Sequence, residues 1–322
     1  MEFRCVYNQG ALIGIAPMVR CRERYRGVPV AMLKLAANGH TPYSSVVIDR
    51  SLSQAEAEQV LSMLTQVAGN EIALFFKIGA EDSLKRFLMD RSINGHARVG
   101  EKPSLRTPVV EIDRSWDDFY RSRPRSLKKS LNNKLNRLKR AGEFSIGCET
   151  ITRADQPILA DLVDVSAKSW KSEVKNDLRT NTRSRQFLMD LVEAFGESGA
   201  LNAWVATFDG KPVAFELHLV HDQIVYPIRA DYDQAYRALS PGSVLEYTAL
   251  RSLFEHGGYT QYYTCADDYW YLSNWTNAYK KYCSVEVFGD SLKMRALFWL
   301  EYSVVPLVKR FIKYRRTSHR PA

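Results

Sequence analysis

The stretch that decides how this chain is read runs from Tyr226-Pro227-Ile228-Arg229-Ala230 through Asp231-Tyr232-Asp233-Gln234-Ala235-Tyr236 to Arg237-Ala238-Leu239-Ser240-Pro241-Gly242-Ser243. An apolar strand ends near Ala230, a turn-rich loop comes next, and the Gly/Ser segment opens directly into an amphipathic helix over 243–255. Gly and Ser at a helix N-terminus present backbone N–H groups at the positive end of the helix dipole, which is a cradle for phosphate. Arg237 can add a charge-assisted contact to the same anion. Ser-Pro-Gly ahead of a helix is also an ordinary cap and turn, so the local pattern alone leaves both readings open.

Upstream of this strand lies Trp204-Val205-Ala206-Thr207-Phe208-Asp209-Gly210-Lys211-Pro212-Val213-Ala214-Phe215, a strand, a turn ending in Gly and a second strand. The start of the chain repeats it as Arg4-Cys5-Val6-Tyr7-Asn8-Gln9-Gly10-Ala11-Leu12-Ile13-Gly14-Ile15-Ala16-Pro17. Asn-Gln-Gly and Phe-Asp-Gly supply the positive φ that a tight hairpin needs. The segments downstream of the two hairpins are also alike. After the first come a helix (53–67), a strand (72–78), a helix (83–89) and a strand (108–112). After the second come strands at 224–230 and 261–265 around the 243–255 helix, then a shorter helix near 272–279. The expected fold is therefore α/β (α+β): two tandem domains with mixed central sheets, the N-terminal one incomplete because no helices precede its hairpin.

Between the halves lies a basic arm bearing Arg114, Arg121, Arg123, Arg125, Lys128, Lys129, Lys134, Arg137, Lys139 and Arg140. Leu127, Leu131, Leu135 and Leu138 recur at helical spacing within it, so one face packs and the cations are expected on the other. Gly142 is a natural stop. Helices are also expected over 155–170 and 187–195. Beyond Leu292, apolar Leu297, Phe298, Trp299, Leu300, Leu307, Phe311 and Ile312 mix with Lys309, Arg310, Lys313, Arg315 and Arg316. That composition fits an interfacial helix pair or a terminal helix with a solvated basic face. The expected division is 1–113, the arm 114–142, a C-terminal domain 143–290 carrying the donor site, and a tail 291–322.

Composition sets the frame. The 322 residues are 45% hydrophobic and 25% charged, an ordinary globular balance, and the net charge of +9 points to anionic partners. Met1-Glu2-Phe3-Arg4 does not read as a secretory signal, and the longest apolar stretch, 296–308, is broken by Glu301 and Pro306 and is too short to cross a bilayer. The five scattered cysteines suit a reducing, cytoplasmic compartment, with the inner membrane face as a peripheral option for the tail. The histidines have no metal-ligand spacing, so no metal is expected.

The loop resembles the pyrophosphate-binding motif of GNAT enzymes, Arg/Gln-x-x-Gly-x-Gly/Ala, here Arg237-x-x-Ser240-x-Gly242 with Ser at the first Gly. The string from Tyr232-Asp233 through Tyr236 and Ser240-Pro241-Gly242, the basic arm, Trp170, Trp275-Thr276 and Ala16-Pro17-Met18 together resemble the CelD/BcsL-type acetyltransferase family, which is related to Fem-type transferases. One departure is Tyr271-Leu272, where that family commonly has Tyr-Lys. The resemblance implies that Arg237, Ser240, Gly242 and Ser243 hold acetyl-CoA or another acyl-CoA, with the pantetheine arm in a gap between splayed central strands, the second and third of the C-terminal domain, beside Gly242. Catalysis is then positioning plus removal of one proton. Glu216 and His218 alternate with Phe215, Leu217 and Leu219, so they share one face and either can serve as base. Tyr271, with Tyr269 and Tyr279, lies where a tyrosine acid is placed in such enzymes. Arg229 and Asp231 share a face and either pair with each other or, with Trp170, contact substrate.

The leading expectation is an acyl-CoA-dependent N- or O-acyltransferase acting on a sugar, exopolysaccharide or cell-envelope precursor. A Fem-type transferase using aminoacyl-tRNA, and a non-catalytic membrane- or nucleic-acid-binding module on a transferase fold, are the alternatives. Nucleic acid is a partner only in these alternatives, as tRNA in the first of them.

Overall fold

The structure, a computed structural model, describes residues 1–37, 41–93, 97–265 and 272–310, apart from the side chains of 93 and 103–105. In chain order the first elements are β1 (Glu2–Asn8), β2 (Ala11–Tyr25), β3 (Val28–Leu35), β4 (Val47–Ile48), α1 (Gln54–Leu64), β5 (Glu71–Gly79), α2 (Ser83–Ile93) and β6 (Arg98–Glu111). Next are α3 (Trp116–Arg121), α4 (Arg125–Ala141), β7 (Phe144–Thr150), α5 (Ile158–Ala167), α6 (Thr182–Phe195), β8 (Leu201–Phe208), β9 (Lys211–His221) and β10 (Ile224–Tyr232). The chain continues with α7 (Pro241–His256), β11 (Gln261–Tyr263), β12 (Tyr279–Phe288) and α8 (Leu292–Trp299). Short 3₁₀ turns cover Trp170–Ser172, Gln234–Leu239 and Leu272–Asn274.

Packing divides the chain into one unit of Met1–Arg106 with Lys280–Ala322 and another of Thr107–Tyr279. The cuts differ from the expected 113, 142 and 290. The arm α4 packs within the second unit, and β12, expected in the C-terminal domain, joins the first. The short helix expected near 272–279 is a single 3₁₀ turn that gives way to β12.

In the first unit β1, β2 and β3 form an antiparallel meander, β3 runs parallel to β5 across α1, and β5 is antiparallel to β12. α1 and α2 cover one face through Val60, Leu61, Leu64, Leu84 and Leu88, and α8 covers part of the other through Met294 and Leu297. In the second unit β7, β8, β9 and β10 are antiparallel, β10 is parallel to β11 across α7, and β11 is antiparallel to β6. α5 and α6 cover one face with Leu162, Val165, Leu188 and Val192, while α4 and α7 cover the other with Leu138, Val244, Leu245 and Ala249. The fold is thus two tandem GNAT-like halves with mixed sheets. In the second half β8 has β7, α5 and α6 ahead of it in the chain.

The repeat extends to the register. Arg4 lies opposite Ala16 and Trp204 opposite Glu216; the ladder shifts after Val6 in one hairpin and after Ala206 in the other. Both turns use left-handed residues, Gln9 and Gly10 in the first and Asp209 and Gly210 in the second, as a type I′ turn requires. The expected gap between the second and third strands of the C-terminal half is not there. β8 and β9 pair from Leu201–Leu219 to Phe208–Lys211, because hairpin-connected antiparallel strands close their ladder up to the turn. The parallel ladder of β10 and β11 comprises Ile224–Gln261 and Val225–Tyr262.

Candidate active site

α7 begins in an unusual way. Its N-cap, Ser240, sits in the left-handed region at φ 55 and ψ 50, Pro241 occupies the first helical position, and no side chain caps the helix. A non-glycine residue held there is strained, which explains why the resembled motif has Gly at this place. Proline has no N–H to satisfy, so the amides exposed by the helix start are those that come after it. A Cβ on Gly242 would meet only Tyr232 Cδ1, at 3.8 Å, so the backbone here borders open space. Arg237 is exposed at the rim.

The arm supplies cations to this loop. Lys134 Nζ donates to Ser243 Oγ at 2.9 Å, and Arg137 donates to the Ala238 carbonyl. Burial lowers the Lys134 pKa. The leucine periodicity assigns every cation of the arm to the face away from the leucines. Lys134 breaks that rule: it lies three residues after Leu131 and four before Leu138, both buried, so it shares their side of α4. Its spacing to the two leucines is the signal that could have found it.

Across the sheet from α5 and α6, β9 presents Glu216 and His218. Both are interior, at 4% and 1% exposure, rather than solvated as polar residues opposite an aliphatic strand face usually are. His218 Nε2 and Glu216 Oε1 are 2.8 Å apart, and the Tyr262 hydroxyl donates to the same carboxylate oxygen. Burial, with the Glu216 and Glu246 charges, pushes the Tyr262 hydroxyl well above its usual range. Glu246 comes from α7, one turn after Ser243, and keeps part of its surface open. Burial pushes its carboxyl up to about 8, and the Glu216 charge adds to the shift, while Trp275 and Lys134 oppose it. A group titrating near neutrality beside a second carboxylate, an imidazole and a phenol is equipped to take up and release a proton.

The other predicted residues lie apart. Register places Arg229 opposite Leu217 and Asp231 opposite Phe215, on the α5 and α6 side of the sheet. Arg229 Nε pairs with Asp231 at 2.9 Å, and its Nη2 donates to Ser166 Oγ at 3.0 Å and to the Asn176 carbonyl at 2.7 Å. Lys171 reaches Asp231 at 2.6 Å and the Ala230 carbonyl at 2.9 Å. Of the two options for Arg229 and Asp231, the structure has them paired with each other, in a buried network that ties the loop after α5 to β10. Trp170, in the 3₁₀ turn, is half exposed. Tyr271 and Tyr269 lie outside the described residues, and Tyr279 begins β12. Sequence reasoning missed Tyr262 and Glu246, and named Trp275 only as part of a motif. Glu246 had a signal, being three residues from Ser243 on the same helix face. Tyr262 had none, because only strand order brings β11 near β9.

Comparison with known proteins bears on the fold. Residues 125–281 match the family described as Acetyltransferase (GNAT) domain. The C-terminal domain of a putative lysylphosphatidylglycerol synthetase from Agrobacterium fabrum is similar in structure, with TM-score 0.56 and 12% identity, over 94% of this chain and 88% of that one. L-PGS from Bacillus licheniformis gives TM-score 0.55 and 12% identity over 92% and 87% of the two chains. FemX gives 0.50 and 12% over 92% and 90%. At such identity these likenesses concern the fold. No curated protein has a significant match to the sequence.

Proposed function

We propose that the second unit is the working half of an acyltransferase that takes its acyl group from acetyl-CoA or another acyl-CoA and delivers it to an amine or hydroxyl of a sugar, exopolysaccharide or cell-envelope precursor, as the CelD/BcsL-type resemblance implies. The observation that carries this reading is the uncapped start of α7 behind left-handed Ser240, with Lys134 held at Ser243. The diphosphate of the donor is assigned to the amides of Gly242 and Ser243, with Lys134 and Arg237 as counter-charges. Glu246, the accessible member of the buried cluster, takes the acceptor proton. Glu216, held by His218 and Tyr262, raises its proton affinity from behind. The contrast between the two units supports a functional origin for that cluster: the same register positions in the first hairpin are Ala16 and Met18, so the fold does not need Glu216 and His218.

Saturating acetyl-CoA is expected to raise the melting temperature, since a ligand at a hundred times its Kd adds about 2.7 kcal/mol. Lys134→Ala is expected to diminish the shift. Stability unchanged by every acyl-CoA tried overturns the donor assignment. A second reading, transfer from aminoacyl-tRNA as in Fem-type enzymes, is favoured by α4, whose 17 residues include no acid. It predicts binding of charged tRNA that weakens steeply with salt, which the acyl-CoA reading does not require.

A further inference from the structure

The last described segment of the first unit has two unlike sides. Inward, Met294 and Leu297 of α8 enter the core with Phe298 and Tyr302. Glu301, the only acidic residue from Leu292 to Arg310, also turns inward: Arg26 and Lys102 hold its carboxylate. Tyr302 donates to buried Glu286 at 2.8 Å. Outward, Leu292, Trp299 and Leu307 are 82%, 63% and 66% exposed, with Val308 beside them at 50%. Their spacing of seven and then eight residues keeps them on one side of the rod. The π turn over Leu300–Val304, wider than an α turn, absorbs the eighth residue. Lys293, Arg295, Lys309 and Arg310 are exposed on the same segment.

We propose that this outer side of α8 and the helical turn after it docks on an anionic lipid surface. Scattered exposed apolar residues need no explanation, but a stripe holding Trp, two Leu and Val, with Lys293, Arg295, Lys309 and Arg310 exposed along it, does. A protein partner could cover the stripe and leave the cations without counter-charge. A bilayer with acidic headgroups satisfies both: the apolar side chains enter the acyl boundary, the indole sits at headgroup level, and Lys and Arg extend to phosphate. The inward anchoring holds the stripe facing out before any lipid is met. Contact is peripheral, since among the described residues no helix is long and apolar enough to cross a membrane.

The test is sedimentation of the full chain with vesicles of mixed phosphatidylglycerol and phosphatidylcholine, against pure phosphatidylcholine. Binding is expected only with the mixed vesicles, and is expected to weaken at high salt as the Debye length shrinks well below about 10 Å. Trp299→Ala with Leu307→Ser is expected to weaken partitioning about tenfold or more. Lys309→Gln and Arg310→Gln are each expected to weaken it about fivefold. These positions are exposed, so melting temperatures should match the parent, and a variant that fails this control is replaced by Leu292→Ser. The proposal is overturned by absent binding, by equal binding to neutral vesicles, or by variants that bind like the parent. It is equally overturned if sedimentation equilibrium shows a dimer that Trp299→Ala dissociates while neither form binds vesicles.

Discussion

The hairpin of β1 and β2 and the hairpin of β8 and β9 share turn chemistry, register and even the place where the ladder slips, yet they are filled differently. Ala16 and Met18 are fully buried among Val60, Leu64 and their neighbours in one. Glu216 and His218 hold the same places in the other, bonded to each other and to Tyr262. The next helices along the chain differ in the same sense. α1 closes its own start with a capping box: Ser53 accepts from the Glu56 amide, and Glu56 accepts from the Ser53 amide at 2.9 Å. A carboxylate occupies the spot where a phosphate would bind. α7 has no cap of its own and is met by Lys134 instead. One scaffold thus occurs twice, once filled with an apolar core and a capped helix, once with a buried polar cluster and a helix start that no side chain caps.

The sharpest way to break this contrast is to write one half into the other. Glu216→Ala combined with His218→Met gives the second hairpin the first one's residues. Acyl transfer is expected to fall about 10²- to 10⁴-fold while the protein stays folded, read by a transfer assay beside circular dichroism. Undiminished transfer would remove the pair from catalysis. The reverse change, Ala16→Glu, buries a carboxylate with nothing like Tyr262 to receive it. A loss of about 3–5 kcal/mol is expected by urea unfolding, and a mild effect would mean the apolar filling matters less than its burial suggests.

Smaller effects separate the two helix starts. Lys134→Met keeps the packing of α4 but removes the charge at Ser243, and donor affinity measured by calorimetry should drop about tenfold. Glu246 should make the protein's stability pH-dependent. Its folded-state pKa of about 8 lies above the ordinary 4.5, so the native state holds a proton that the unfolded chain releases. The unfolding free energy should therefore decline as pH rises from about 4.5 to about 8, and Glu246→Gln should flatten that part of the profile. Ser53→Ala should cost about 1 kcal/mol through loss of the cap and leave donor affinity untouched, which a cap at Ser240 would not predict.

The features legible in the sequence are local ones. Asn-Gln-Gly and Phe-Asp-Gly encode their turns in adjacent residues, so the repeat could be seen. The loop at Ser240 and the leucine stripe of α4 are likewise short-range patterns. Glu216 and His218 were legible as a shared face but not as interior groups, because their burial depends on α7 and β11 arriving over them. The buried pairing of Arg229 also escaped resolution, since Ser166 of α5 and Asn176 of the loop after it approach from far back in the chain. Strand order was the least legible feature. No strand was expected over Tyr279–Phe288, and nothing local in that segment says that its neighbour is β5.

That neighbour has a consequence for how the molecule is made. Val285 pairs with Phe75, so β5 lacks this neighbour until β12, the last described strand, has left the ribosome. The intervening residues Thr107–Tyr279 form a contiguous unit with no such wait. The Thr107–Tyr279 unit is therefore free to fold before β12 reaches β5, and the loop-closure cost of so distant a contact falls after it.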